Sequence, residues 1–146
     1  MSKPEVSYTS PAALPSPLGR YSHVASCPAS ADLYFIAGQV GVAVQDEGAP
    51  TPGDFDAQLI QVFENVTIAL DALGLTPRNV VQFTTYVVGR DNLPSFHRKR
   101  ADIFRHLYPD ERYPPNTLLL VQGLVEPEFL VEIQTVAAGP TSSTAT

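Results

Sequence analysis

Apolar positions Phe55, Leu59, Val62, Phe63, Val66, Leu70 and Leu73 recur at helical spacing, the stripe of a helix with one face on a core. Asp54 stands at the N-cap position and Gly74 at the left-handed stop, with Pro77 behind it. A second stripe, Leu93, Phe96, Ile103, Phe104 and Leu107, predicts a helix over Asn92–Tyr108. Between and around them lie strand signals. Leu33–Ala37 is a short apolar, aromatic and β-branched run closed by Gly38, and Ser22–Ser26 is expected as its hairpin partner, turning through Pro28–Asp32. Val80–Val88 alternates, with Val81, Phe83, Thr85 and Val87 expected on one face; Thr117–Val121 and Leu130–Val136 complete the set. The order β-β-α-β-α-β-β predicts an α+β two-layer domain with both helices on one face of one sheet.

Such a domain leaves the second face of its sheet uncovered, yet Leu118, Leu119, Leu120 and Val121 cannot all point at the helices. A sheet apolar on both faces needs a partner, so a homo-oligomer packed through the open face is expected. The Pro- and Ser-rich residues 1–17 and the segment 139–146 carry no period and are expected as mobile tails around a folded unit at 18–138.

Composition narrows the function. The chain of 146 residues carries a net charge of −6, which argues against nucleic acid as a partner and against a ribonuclease groove. No apolar run approaches the roughly 20 residues that cross a bilayer, and no signal-peptide pattern is visible. A cytoplasmic protein with no membrane partner is the expectation. The lone Cys27 excludes a disulfide framework, and the three histidines have no ligand spacing with it or with carboxylates, so neither a metal nor any other cofactor is expected. His97-Arg-Lys-Arg100, extended by Arg105 and His106, reads as a solvated helix face, and Asn65 as a cap for backbone groups beside the first helix.

The segments Leu18-Gly-Arg-Tyr-Ser22, Ile36-Ala-Gly-Gln-Val40, Asn79-Val-Val-Gln-Phe-Thr-Thr85 and Val131-Glu-Ile-Gln-Thr-Val-Ala137, in this order, resemble the RidA/YjgF-type reactive intermediate deaminase family over Leu18–Ala138. The resemblance implies a chorismate-mutase-like fold of the bacillus type. It also implies a homotrimer with its sheets packed inward and small-molecule clefts between subunits. The activity it implies is hydrolysis of enamines or imines to a keto acid and ammonia. Family members grip the substrate carboxylate through an arginine in a Pro-Ala-Arg-Ser/Thr-like segment. Here that segment is Pro114-Pro115-Asn116-Thr117, with Asn116 in the arginine's place, as in an arginine-lacking branch, and Leu118 where some members carry cysteine. A guanidinium gives a carboxylate two charge-assisted hydrogen bonds, a carboxamide one neutral donor group.

Site roles follow from the same resemblance. Glu132 becomes the pocket glutamate that positions water; an acid in mid-strand among apolar neighbours is costly unless it is used or paired, and an edge acid paired with an arginine is the plainer reading. Tyr21 becomes the cleft tyrosine, with core packing as its rival. Gly38 and Gln39 belong to a turn that lines the pocket, or to a plain strand-end bulge. Tyr86 becomes the aromatic a neighbouring subunit lends to the cleft wall, or core filling. Asn116 and Thr117 complete the substrate contacts. Arg20, where the family has proline, is a candidate replacement clamp or a surface arginine, and Arg90 is a second candidate. Two functions are carried forward. One is an enzyme acting on a small enamine, imine or related unsaturated compound in one metabolic or biosynthetic pathway. The other is a non-catalytic trimer that binds a metabolite or a client protein.

Overall fold

The computed structural model describes residues 6–52 and 54–140. Two short strands, β1 (Ser7–Thr9) and β2 (Val24–Ser26), pair antiparallel with Tyr8 opposite Ala25. The main sheet contains β3 (Asp32–Val40), β4 (Val80–Val88), β5 (Asn116–Val121) and β6 (Val131–Gly139), in the spatial order β3-β6-β4-β5. β6 runs antiparallel to both neighbours, whereas β4 and β5 are parallel. A parallel pair needs a crossover, and helix α2 (Leu93–Leu107) supplies it; α1 (Phe55–Ala72) joins β3 to β4.

The predicted signals of α1 act as expected. The Asp54 carboxylate accepts from Ala57 N at 3.2 Å, and Gly74, at φ +71°, lets Leu75 N reach back to Leu70 O at 2.9 Å. Leu59, Val62, Phe63, Val66 and Leu70 form one core with Phe96 and Phe104 of α2 and with Ile36, Phe83, Val87, Val131 and Ile133 of the sheet. Phe63, Phe83 and Phe104 meet ring to ring at its centre. Both helices therefore cover one sheet face, as the two stripes require. On the other face Phe35 is 76% exposed and Leu119 is 42% exposed in the isolated chain.

Four expectations are corrected. β2 does not pair with the Leu33–Ala37 strand; its partner is β1, inside the stretch 1–17 expected as a tail. The anchor is Tyr8, whose hydroxyl donates to Val80 O at 2.6 Å and ties the ribbon to the start of β4. At the other end Gly139 still belongs to β6, and residues 141–146 lie outside the described residues. Val81 is not on the core face of β4: the ladder to β6 shifts between Val80 and Gln82, so Val80 takes the core position and Val81 is the extra residue of a bulge. Finally, Arg100 is not on a solvated face. It shares the stripe of Phe96 and Phe104 at intervals of four residues and is 5% exposed.

Candidate active site

The candidate residues fall into groups set by strand register. On the open face Glu132 of β6 lies opposite Val40 of β3 and Tyr86 of β4, and Tyr86 lies opposite Leu119 of β5. Glu132 is half-buried in this row. The ladder between β3 and β6 is irregular between Ile36 and Gln39, and there the Glu132 side chain crosses Gly38. A Cβ on Gly38 would lie 2.0 Å from Glu132 Oε1 and 2.8 Å from its Cδ, so only glycine leaves the carboxylate this position. Among the described residues no lysine, arginine or histidine lies within ion-pair distance of Glu132.

Gln39 parts from this group. It lies opposite Ile133, on the core side, and lines a cavity with Val42, Asn65 and Ile68 beside α1, its Nε2 donating to Ala37 O at 3.2 Å. Asn65 caps as read from the sequence, donating to Val40 O and Val42 O at 3.2 and 2.9 Å.

A second group gathers where β5 begins. Tyr21, Ser22, His23, Gln82, Phe83, Pro115, Asn116 and Thr117 line a cleft of about 170 Å³. Asn116 pairs with Phe83 in register, and its Oδ1 accepts from the buried Thr85 hydroxyl at 2.7 Å. That bond fixes the amide and reserves Nδ2 as the donor. Tyr21 is held by Leu18 N, which donates to its hydroxyl at 3.2 Å, and by an edge contact with the His23 ring at 5.7 Å. His23 Nε2 lies 2.6 Å from Pro15 O, and since a carbonyl only accepts, Nε2 is the donor of that bond. His23 was not read from the sequence as a site residue; its spacing of two from Tyr21 along the chain was the available signal.

The arginines lie elsewhere. Arg20 lines a separate cavity of about 150 Å³ with Arg105, Tyr108, Pro109, Glu111 and Tyr113. Arg90 is exposed in the turn beyond the end of β4, away from the cleft at Phe83. Cys27 is a half-buried free thiol. Among the described residues no three His, Cys, Asp or Glu side chains gather as a metal site, and no helix is long and apolar enough to cross a membrane. Among the described residues the chain thus offers a carboxylate free of ion pairs over a glycine backbone, and a polar cleft of tyrosine, histidine and two amides with no lysine or arginine lining it.

The family model described as Endoribonuclease L-PSP matches residues 11–139. A RutC family protein of Pyrococcus horikoshii is 29% identical over 123 residues, covering 84% of this chain and 90% of its own. The crystal structure of the Rid family protein YyfB from Yersinia pestis, of unknown function, is 32% identical with a TM-score of 0.77, covering 91% of this chain and 98% of its own. E. coli TdcF, solved with bound serine, shares the fold at 20% identity and a TM-score of 0.63, over 90% of this chain and 97% of its own. The architecture is accordingly the chorismate-mutase-like fold of these proteins. The chain belongs to the Endoribonuclease L-PSP family, that of the Rid, RutC and YjgF proteins.

Proposed function

We propose that this chain is a RidA-like enzyme that adds water to, or moves a proton on, a small enamine, imine or related reactive unsaturated compound within one metabolic pathway. Glu132 is the base, and Tyr21, Asn116 and Thr117 orient the ligand. The observation that carries the reading is the Glu132 carboxylate itself: half-buried, laid across Gly38 and free of any ion pair among the described residues. Keeping a carboxylate in such a place without a cation is costly unless the group is used.

On one chain the Glu132–Gly38 row and the Tyr21–Asn116 cleft are separate groups. In our reading they meet across subunits of a homotrimer, the open sheet faces turned inward, so that each cleft takes its base from one chain and its orienting groups from the next. Asn116 in place of a guanidinium steers the substrate away from a 2-imino carboxylate gripped at that position. The same substitution favours one rival, a non-catalytic trimer that binds a metabolite or a client protein in its clefts.

The test is turnover of unstable enamines and imines generated in place, run with wild type and Glu132→Gln. The enzyme reading expects the variant to bind product analogues as wild type does while its turnover falls by roughly 10²–10⁴, the usual contribution of a general base. Binding without turnover in wild type across the panel would instead establish the non-catalytic trimer.

A further inference from the structure

His23 is half-buried on the wall of the Tyr21–Asn116 cleft, and three contacts fix it there. Its backbone N donates to Ser10 Oγ at 3.2 Å, its Nε2 donates to Pro15 O at 2.6 Å, and its ring meets that of Tyr21 edge to face at 5.7 Å. With Nε2 engaged, Nδ1 is the nitrogen left over, and among the described residues it has no hydrogen-bond partner. Nδ1 therefore accepts when the ring is neutral and donates when the ring is an imidazolium.

The other groups on the cleft wall do not exchange a proton readily near neutral pH. Asn116 and Gln82 are amides, Thr117 and Ser22 are alcohols, and Tyr21 is a phenol, the one further ionisable side chain among the lining residues. The segments around the ring add no charge either. Residues 10–18, Val24–Ser26, Val80–Phe83 and Pro114–Thr117 contain no acid and no base, and Arg20 lines a separate cavity. Among the described residues no carboxylate lies within ion-pair distance of His23. An enamine is hydrolysed only after its carbon gains a proton, and a carboxylate that takes a proton from water is not free to give one at the same time. The two tasks call for two groups.

We propose that His23 is the general acid of the cleft, delivering the proton that converts a bound enamine to its iminium. The inference rests on the enzyme reading above and deepens it, since a ligand protonated at carbon belongs to the enamine class. The imidazolium gives its Nδ1 proton to the carbon β to the ligand nitrogen. The C=C pair forms the new C–H bond, the nitrogen lone pair closes the C=N bond, and the positive charge passes from the ring to the iminium. Glu132, brought from the next subunit in that reading, then takes a proton from water as the water oxygen bonds the iminium carbon and the C=N pair returns to nitrogen. Ammonia leaves with the proton that Glu132 holds, the O–H proton goes to solvent as the carbonyl forms, and His23 recovers its proton from solvent.

The experiment measures hydrolysis by the full chain across neutral pH, beside proton NMR of the imidazole rings. The probes are ethyl 3-aminocrotonate, an enamine without a carboxylate, and 2-aminocrotonate formed in place from threonine. The chain has three histidines, so the ring signal missing from His23→Gln is that of His23. In wild type kcat/KM should fall as pH rises through the titration of that signal, because the protonated ring is the acid. His23→Gln puts an amide nitrogen in place of Nε2 for the bond to Pro15 O, so it should melt near wild type. Its turnover should fall by roughly 10²–10⁴ and the alkaline limb should vanish. A wild-type limb that does not coincide with the His23 titration overturns the proposal, whether or not the variant folds. A His23→Gln protein that keeps the limb, even at a lowered rate or melting temperature, overturns it too and marks a structural histidine. Wild type that speeds neither hydrolysis brings down the enzyme reading and this role with it. Turnover lost in Glu132→Gln and kept in His23→Gln removes His23 alone.

Discussion

Glu132 Oε1 occupies the space in which a side chain at Gly38 would begin, 2.0 Å from the position of its Cβ. The atoms in conflict are all on the Glu132 side chain, Oε1, Cδ and Cγ, and the carboxylate end can swing away. Gly38→Ala should therefore fold with a small loss of stability while moving the carboxylate. The expected outcome is turnover reduced nearly as far as in Glu132→Gln, with a melting temperature close to wild type. A variant of full activity would show that the carboxylate position over Gly38 does not matter for the chemistry.

Thr85 bears on the cleft from beneath. It is 2% exposed, and its hydroxyl supports the Asn116 amide by donating to Oδ1. Thr85→Val keeps the shape and withdraws the donor, leaving Oδ1 of a half-buried amide unmatched. The expected cost is ~1–3 kcal/mol in chemical denaturation. Ligand affinity should fall with it, because the amide is then free to turn. Unchanged affinity at lowered stability would remove Asn116 from the orienting set.

The helices were legible because side-chain pattern decides them: Asp54, the stripe from Phe55 to Leu70 and Gly74 each act locally. Strand register was less so, because one extra residue reverses every parity after it. Counting by twos from the buried Ile36 places Gly38 on the core side and Gln39 on the open face. The irregularity between Ile36 and Gln39 reverses this, and Gln39 faces Ile133 while Gly38 lies under Glu132. Val81 was misplaced for the same reason. Arg100 was missed because a cation within an apolar stripe reads as a polar break, although its aliphatic stem and planar head pack well on aromatic rings. The pairing of β1 with β2 left only weak marks, a three-residue strand and one tyrosine in a Pro- and Ser-rich stretch.

That tyrosine gives a prediction with a sign in pH. Burial raises the phenols of Tyr8 and Tyr108 well above their ordinary value of 10, and each donates to a carbonyl, Tyr8 to Val80 O and Tyr108 to Pro77 O. The unfolded chain sheds these protons near pH 10 while the folded chain keeps them. Their contribution is thus complete below pH 10 and is lost as pH rises above it. Tyr8→Phe should lower stability at pH 7 by about 0.5–1.5 kcal/mol and flatten part of the alkaline decline. Amide exchange at Val24–Ser26 should quicken in the same variant, since β1 is their partner strand. An alkaline profile identical to wild type would show that Tyr8 does not hold the ribbon.

The last prediction concerns the face that no helix covers. Phe35 lies opposite Val136, and Leu119 opposite Tyr86, all on the side of the sheet away from α1 and α2. Phe35 at 76% exposure is the larger liability in a lone chain, because a ring of that size in water loses most of the roughly 1.5–3 kcal/mol that burial would return. A homotrimer with its sheets turned inward covers both residues, so light scattering should give the mass of three chains for wild type. Leu119→Lys and Phe35→Asp each place a charge in that contact without a partner. Both should shift the mass toward one chain and remove the dependence of melting on protein concentration that a trimer shows, with helical circular dichroism retained. Ile68→Lys is the control: it lies on the outer side of α1 and is 64% exposed, so its trimer should persist. A wild type that scatters as one chain would remove the intersubunit cleft from the proposed mechanism. A trimer untouched by either open-face charge would move the interface to another surface, and with it the subunit that supplies Glu132 to each cleft.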